Sequence, residues 1–393
     1  MSAEPRPAER PAATGSPRDF AEYGAIVVPS LWFDPSRPLD DWFDRVGREN
    51  FRFAHAAGQV AGGLAIYRAG QYFGGRRLEC GAIAAVAVAP EHRGSGIGSR
   101  LMRDAVGELR AGGTPLACLF PATLPVYRNA GFESAGLHCR FKIPTAALDV
   151  RATDLQVRRA GLADRDRFAA LYAEQARRTD GWLDRPAVLW MRNLAPWTGE
   201  HFCYLVEGGE GPEGYVVYAQ ENEGGKRQIR VLDCVAGTPR AAARLLSFFA
   251  AHRSLAHVLD FPDAPALPFL APLADPPVEV ARFLRWMLRL CDVRAALEQR
   301  GYRPGVTGEV HLAVRDAVLP ENAGRLILEV ADGCGRVSPG GRGDLSIDVR
   351  GLAALFTGFQ TTRDLAQAGL AAAEHRGADA LFAGGPAWMP DMF

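Results

Sequence analysis

The sequence predicts a mixed α/β protein built from three units, two of them alike. Three observations point there. An apolar run at Ala84–Val88 is followed by a glycine-rich turn, a segment with helical spacing and a second apolar run, PLACLF at Pro115–Phe120. The same strand, turn and helix order returns at Arg230–Phe249. Beyond a proline-rich stretch the pattern changes to alternation, as in GEVHLAVR at Gly308–Arg315. Short apolar runs bounded by turn residues read as buried strands, and alternation reads as half-exposed strands. A β-α-β order favours a sheet with helices on its faces.

Each element has its own signal. In the first unit, Leu101, Met102, Ala105, Val106 and Leu109 recur at helical spacing, and Gly112-Gly113 ends the helix. A short helix near Tyr127 and a β-rich tail to Pro144 follow. In the second unit, Leu155–Arg158 reads as a strand and Leu162–Arg178 as an amphipathic helix carrying Phe168, Leu171 and Tyr172. Strands are expected at Phe202–Glu207, Tyr215–Gln220 and Arg230–Val235. The helix Pro239–Phe249 has Thr238 as N-cap and proline at its first position. Asp260–Pro277, with six prolines, reads as an extended linker. In the third unit a helix is expected at Val293–Arg300, strands at Gly308–Arg315, Arg325–Val330 and Asp344–Val349, and helices at Gly351–Thr357 and Thr361–Ala368.

Composition sets the outer bounds. At 393 residues the chain exceeds one ordinary domain, and 48% hydrophobic with 23% charged residues is enough for several cores. Forty-five basic residues balance forty-five acidic ones. Zero net charge argues against coating nucleic acid or an anionic membrane. The longest uncharged apolar stretch, ten residues from Gly81 to Pro90, is about half of a membrane span. The segment from Met1 to about Arg18 is rich in Pro, Ala and Arg without an apolar core, so it reads as a disordered tail. The seven cysteines are scattered and never spaced C-x-x-C, which predicts reduced thiols, no zinc site and a cytoplasmic location.

The chemistry-bearing segment is Val86–Ser99, sequence VAVAPEHRGSGIGS. A strand leads through small residues into a helix, whose first amides have no partner within it and attract an anion. Glycines let the backbone approach phosphate oxygens closely, and Arg93 adds a full charge. It is not a Rossmann turn, because Ser99 stands where G-x-G-x-x-G needs its third glycine. It is not a P-loop either, because the only Gly-Lys pair, Gly225-Lys226, is followed by Arg227.

Arg93-x-x-Gly96-x-Gly98 after a V-x-V-x-P strand resembles the acetyl-CoA motif of the GNAT acetyltransferases. With Gln71–Arg77 (QYFGGRR) before it and Pro125–Phe132 (PVYRNAGF) after it, the chain resembles the Eis-type (enhanced intracellular survival) N-acetyltransferases from about Phe20 to Phe393. The resemblance implies tandem GNAT folds followed by a sterol-carrier-protein-like domain. The boundaries are then 1–18 for the tail, 19–150 for the catalytic GNAT domain, 151–285 for a second one without a CoA site, and 286–393 for the last. It implies acetyl-CoA as co-substrate, no metal, amine acceptors such as aminoglycosides, polyamines or lysine side chains, and a homo-hexamer. It places the pantetheine arm along Val86, Ala87 and Val88 and the pyrophosphate on Arg93, Gly94, Ser95, Gly96, Ile97, Gly98 and Ser99, with Ala122 and Thr123 completing the expected site.

Amine acetylation requires deprotonation of the amine and protonation of the leaving thiolate. The resemblance makes Tyr127 the general acid, and a phenol with a pKa near 10 suits that role. It makes the α-carboxylate of Phe393 the general base, returned to the site by an apolar tail containing Trp388, Met389 and Met392. Trp32, Asp34 and Asp391 are the expected contacts of a cationic acceptor. A rival reading makes the chain a lipid or acyl-CoA binder through its last domain, with a vestigial GNAT site; the intact Arg93–Gly98 turn and Tyr127 argue against it.

Overall fold

The computed structural model describes residues 15–31, 33, 34, 36, 38–196 and 199–393. The first unit opens with α1 (Pro17–Leu31) and α2 (Asp40–Val46). It continues through β1 (Phe51–Ala56), β2 (Gln59–Phe73), β3 (Arg76–Val88), α3 (Ile97–Ala111), β4 (Leu116–Leu119), α4 (Leu124–Arg128) and β5 (Glu133–Pro144). The tail expected to reach Arg18 therefore overlaps α1. Phe20, Tyr23, Ile26 and Val27 recur every three or four residues and bury one stripe of α1 against β2 and β3. On the opposite sheet face α3 buries Ile97, Leu101, Met102, Ala105, Val106 and Leu109. Each such side chain contributes roughly 1.5–3 kcal/mol of burial.

The second unit repeats this plan. It holds β6 (Gln156–Ala160), α5 (Arg165–Arg177), β7 (Leu183–Asp184), α6 (Ala187–Leu194), β8 (Phe202–Gly208), β9 (Gly211–Glu223), β10 (Lys226–Ala236), α7 (Pro239–Ala250) and β11 (Val258–Pro262). The Thr238 side chain caps α7, accepting the Ala241 amide at 3.1 Å. The stretch read as an extended linker begins as β11 and ends just before β12 (Glu279–Leu290). The boundary expected at residue 286 falls inside that strand.

β12 joins the two units into one sheet. The order is β1-β2-β3-β4-β12-β5-β11-β10-β9-β8-β6. β12 lies antiparallel to β4, as β5 lies antiparallel to β11. Each unit is thus completed by a strand that the other unit's region of chain delivers, and the pair meets at the long antiparallel β5–β12 ladder.

The third unit comprises α8 (Val293–Gln299), β13 (Gly308–Arg315), β14 (Gly324–Ala331), β15 (Cys334–Pro339), β16 (Leu345–Asp348), α9 (Val349–Phe356), α10 (Thr362–Gln367) and α11 (Arg376–Phe382). Its sheet runs β15-β14-β13-β16. β13 and β14 alternate in burial as their sequences do. α9 is buried over most of its surface because it packs on β5 and β12 as well as on β13 and β16. All seven cysteines are free thiols. Among the described residues no helix is long and apolar enough to cross a membrane.

The units are also fastened by an enclosed ion pair. Arg289 of β12 and Asp316 of the third unit are both fully buried, 2.5 Å apart. Asp316 further accepts the Val318 and Leu319 amides at 3.0 Å and the Asn322 side chain at 3.0 Å. Removing one partner of such a pair strands the other charge. Asp316→Ala is expected to destabilise the protein by about 3–5 kcal/mol, read as a lowered urea midpoint with the third unit lost first in limited proteolysis.

Candidate active site

β3 and β4 run parallel for only three pairs, Cys80–Leu116, Gly81–Ala117 and Ala82–Cys118. β4 ends one residue later, at Leu119, while β3 continues to Val88. On its other side β3 slips register against β2 between the Gly63 and Ala65 pairs, which places Ala84 opposite Ala65 and Ala87 opposite Gly63. Ala85 inside this bulge has φ +53°, a left-handed conformation uncommon for a residue with a Cβ. The Tyr23 hydroxyl donates to its carbonyl. The result is a slot between two diverging strands, with the amides and carbonyls of Ile83–Val88 on that edge free of β4. A peptide-like chain fits such an edge by main-chain hydrogen bonding.

The slot leads to the turn. Pro90–His92 forms one 3-10 turn, Gly94 has φ +80°, and Gly96, the N-cap of α3, has φ +85°. Only glycine holds these angles without strain, and no atom lies within 4 Å of where a Cβ would stand at Gly94 or Gly96. The first bond of α3 runs from the Arg100 amide to the Gly96 carbonyl, 3.0 Å. The amides of Ile97, Gly98 and Ser99 therefore stand outside the helical ladder. Arg93, Gly94, Ser95 and Gly96 are exposed, and the helix carries no acidic residue in its first turn. This is a bare, positively polarised helix end. Ala122 and Thr123, also exposed, lie just beyond β4 on the far lip of the slot.

Tyr127 sits on α4 and is 5% exposed, packed on the α3 side of the sheet. Burial pushes its phenol above the usual value, with the Ala122 amide working against that. It therefore stays protonated at neutral pH. Its neighbour Arg128 donates to Glu133 at 2.8 Å, and Glu133 also takes Arg350 from the third unit at 2.6 Å. Burial disfavours the Glu133 carboxylate, but the two guanidiniums outweigh it and hold the group below its usual range.

The C-terminal tail reaches the other side of the slot. Its backbone joins β5: Leu137 donates to Ala387 at 2.9 Å and Met389 donates to Leu137 at 2.8 Å. Gly136 makes room for this, since a Cβ there would stand 2.2 Å from Trp286 and 2.6 Å from the Ala387 carbonyl. The Phe393 ring lies against Phe120, 5.6 Å between centroids, and against Tyr67, 6.2 Å. Phe393 is half-buried on the α1 face, opposite Tyr127. Burial pushes the Tyr67 phenol up to about 12.

Asp391 requires a correction. It is 2% exposed and accepts Tyr172 and the Arg185 Nε, each at 2.9 Å. Arg185 in turn pairs with the buried Asp233. Arg192 donates to the Met392 carbonyl. Asp391 is a buried anchor of the tail, with no open side for an acceptor. Asp34 is exposed and bonded to Ser36 at 2.7 Å. Trp32 lies outside the described residues. Sequence reasoning missed Tyr23, Tyr67 and Phe120; only Phe120, at the end of the PLACLF run, stands in a segment that the sequence marks.

Known proteins match this architecture. Sequence profiles described as Acetyltransferase (GNAT) domain match residues 30–135 and 181–290, and one described as Sterol carrier protein domain matches 293–390. An uncharacterized N-acetyltransferase of Streptomyces griseus is 30% identical over 353 residues, 81% of this chain and 83% of that one. The chain belongs to the Eis-like GNAT N-acetyltransferases. N-acetyltransferase Eis of Mycobacterium tuberculosis is 27% identical over 315 residues, 74% of each chain. A GCN5-related N-acetyltransferase from Anabaena variabilis superposes with a TM-score of 0.93 at 34% identity, covering 97% of this chain and 99% of its own. Eis1 from Mycobacterium abscessus superposes at 0.81 with 25% identity, covering 98% and 100%. The protein is therefore an N-acetyltransferase of a family that uses acetyl-CoA, and its acceptor carries an amine.

His138 locks the tail to this site. Its Nδ1–H donates to the Met389 carbonyl at 3.0 Å, and its ring lies 5.8 Å from Phe120. Burial pushes its pKa down to about 4, with Arg140 and Arg282 lowering it further and the Met389 contact and Asp391 opposing. An unfolded histidine titrates near 6.5. Stability from this group is thus fully present above pH 6.5 and is lost as the pH falls toward 4, by about 3 kcal/mol in all. His138→Gln is expected to flatten that part of the stability curve, measured by denaturant titration between pH 4 and 7.

Proposed function

We propose that the enzyme transfers the acetyl group of acetyl-CoA to a primary amine of aminoglycoside, polyamine or lysine type by direct attack on the thioester. The observation that carries this reading is the divergence of β3 from β4 running straight into the bare start of α3. In it, the backbone of Val86, Ala87 and Val88 pairs with the pantetheine arm. The turn from Arg93 to Ser99 binds the pyrophosphate through its amides and the Arg93 charge, and Ala122 and Thr123 line the opposite lip.

The amine approaches from the α1 face, past Asp34. The α-carboxylate of Phe393 accepts a proton from the ammonium. The freed amine adds to the thioester carbonyl, the C–S bond breaks, and Tyr127 donates its proton to the departing thiolate. The products are the acetamide and CoA thiol; the surplus proton left on the attacking nitrogen passes through water to Tyr127, and the proton taken by Phe393 is released to solvent. Supporting these roles, the Tyr127 phenol is buried and stays protonated, and the Phe393 ring is held between Phe120 and Tyr67 by a tail with fixed backbone bonds. Outward-facing Val280 and Phe283 on the free half of β12 support assembly of several copies, in line with the hexamer that the family resemblance implies.

Two measurements test the chemistry. Thiol release from acetyl-CoA is followed with a panel of spermidine, kanamycin and a lysine peptide. Tyr127→Phe is expected to keep acetyl-CoA affinity and to lose about 100-fold or more in kcat; unchanged turnover overturns its role as the acid. Adding two glycines after Phe393 moves the carboxylate away while keeping the ring contacts. That variant is expected to lose most activity, and full activity would show that the base lies elsewhere.

A further inference from the structure

We propose that the slot of the second unit is a separate binding site for a cationic amphiphile, a molecule with one ammonium group and an apolar body, with Asp263 as its counter-ion. This inference does not rest on the acetyl-transfer reading. β10 and β11 pair in parallel for three residues, ending at Arg230–Asp260, and β10 then bulges between Val231 and Asp233. The geometry repeats the divergence of β3 from β4. Here it opens into a cavity of about 770 Å³. Ligand pockets run from about 300 to 1,000 Å³.

The walls exclude the ligand that the first slot suits. The turn into α7 has no arginine and no glycine pair at positive φ, and Thr238 already caps the Ala241 amide. Pro239 has no amide to offer. The other walls are the proline-rich loop from Pro262 to Pro272, the end of α5 and the tail at Gly385, Pro386 and Trp388. Among the described residues no lysine, arginine or histidine lines the cavity, and Asp263 is the single carboxylate that does. An anion would meet a like charge there, and a cation meets an opposite one.

Asp263 is 5% exposed. Its Oδ1 accepts the Ala264 amide at 2.8 Å and its Oδ2 the Phe269 amide at 3.1 Å. No basic side chain of the described residues pairs with it, and each oxygen keeps a second acceptor position. Trp182, Phe269 and Trp388 also line the cavity, and aromatic rings attract an ammonium. Trp182 is 2% exposed, and its buried Nε1–H has no hydrogen-bond partner among the described residues. The cavity is thus lined by a buried carboxylate without a counter-ion and by a tryptophan whose buried N–H has no acceptor.

Burial pushes the Asp263 carboxyl up to about 7, the two amides only partly opposing it. Among the described residues, the titratable groups that feel its charge are the thiols of Cys139 on β5 and Cys234 on β10, both pushed up by burial and neutral. An ammonium ligand needs the ionised form. Affinity therefore rises as the pH passes 7, and binding near pH 6 releases a proton.

The experiment is a titration of the full chain with octylammonium chloride, read by tryptophan fluorescence at pH 6 and pH 8, with octanoate as the anionic control. Saturable binding is expected, about tenfold tighter at pH 8, from the ionised fraction of a group titrating near 7. Asp263→Asn is expected to weaken it tenfold or more and to remove the pH dependence. Ala243→Phe, which fills the cavity without touching the carboxylate or its two amides, is expected to abolish it. Three results would overturn the proposal: no saturable binding, octanoate binding as tightly, or isotherms unchanged by both substitutions, which would put octylammonium in the acceptor cleft alone. Thiol release is measured separately: a chain that binds octylammonium through Asp263 but transfers no acetyl group refutes the enzymatic mechanism and leaves this site standing.

Discussion

Strand β4 is four residues long and buried throughout. Both of its edges need partners, because unpaired backbone groups in such a place are costly. β3 supplies one edge for three pairs and then leaves. β5, the next strand in the chain, does not supply the other, because it pairs with β11. The edge is closed by β12, which the chain delivers only after building the second unit. The slot thus depends on an exchange: the first unit has no finished sheet until the second is made, and the second uses β5 in return. β12 also brings Trp286, whose indole donates to the Leu137 carbonyl at 3.2 Å beneath the docking place of the tail.

The tail docks by two different means. Its backbone extends β5, which sets direction and register. Its one buried charge, Asp391, enters a network of Arg185, Asp233, Tyr172 and Tyr215, with the Arg185 guanidinium 3.8 Å over the Tyr172 ring. Enclosed ion pairs add little net stability, since desolvation offsets attraction. Their effect is specific geometry: displacing Asp391 would leave the Arg185 Nε–H and the Tyr172 hydroxyl without acceptors at the same moment. That discrimination holds Phe393 at one place, which a greasy tail docked by burial alone would not achieve.

What the sequence made legible follows from locality. The strand, turn and helix at Ala84–Leu109 carry their signals within a few residues of each other, as does the Thr238-Pro239 cap, and all of these form as read. The short helix around Tyr127 was reachable because it lies in a marked segment. The strand exchange was not reachable. β12 reads EVARFLRWMLRL, with three arginines and no alternation, because half of it has a free edge and half sits in the centre of the sheet. Asp391 was misread for a related reason. A lone carboxylate near a proposed cationic site looks like a ligand until Arg185, more than two hundred residues earlier, is brought against it. Tyr23 had no local signal either, since its role depends on a bulge in a strand sixty-two residues away.

The two slots let the determinants of ligand choice be separated. Both arise from parallel strands that pair three times and diverge beside a bulge. Divergence therefore makes a space and does not choose its occupant. The turn chooses. In the first unit two glycines at positive φ leave the helix start uncovered, with Arg93 beside it, so the opening is electropositive. In the second, threonine caps the amides, proline removes one, and a buried carboxylate replaces the arginine, so the sign of the opening is reversed. The duplicated fold keeps the cavity because strand divergence is built into its sheet, whereas a handful of residues at one strand end decide which charge may enter it.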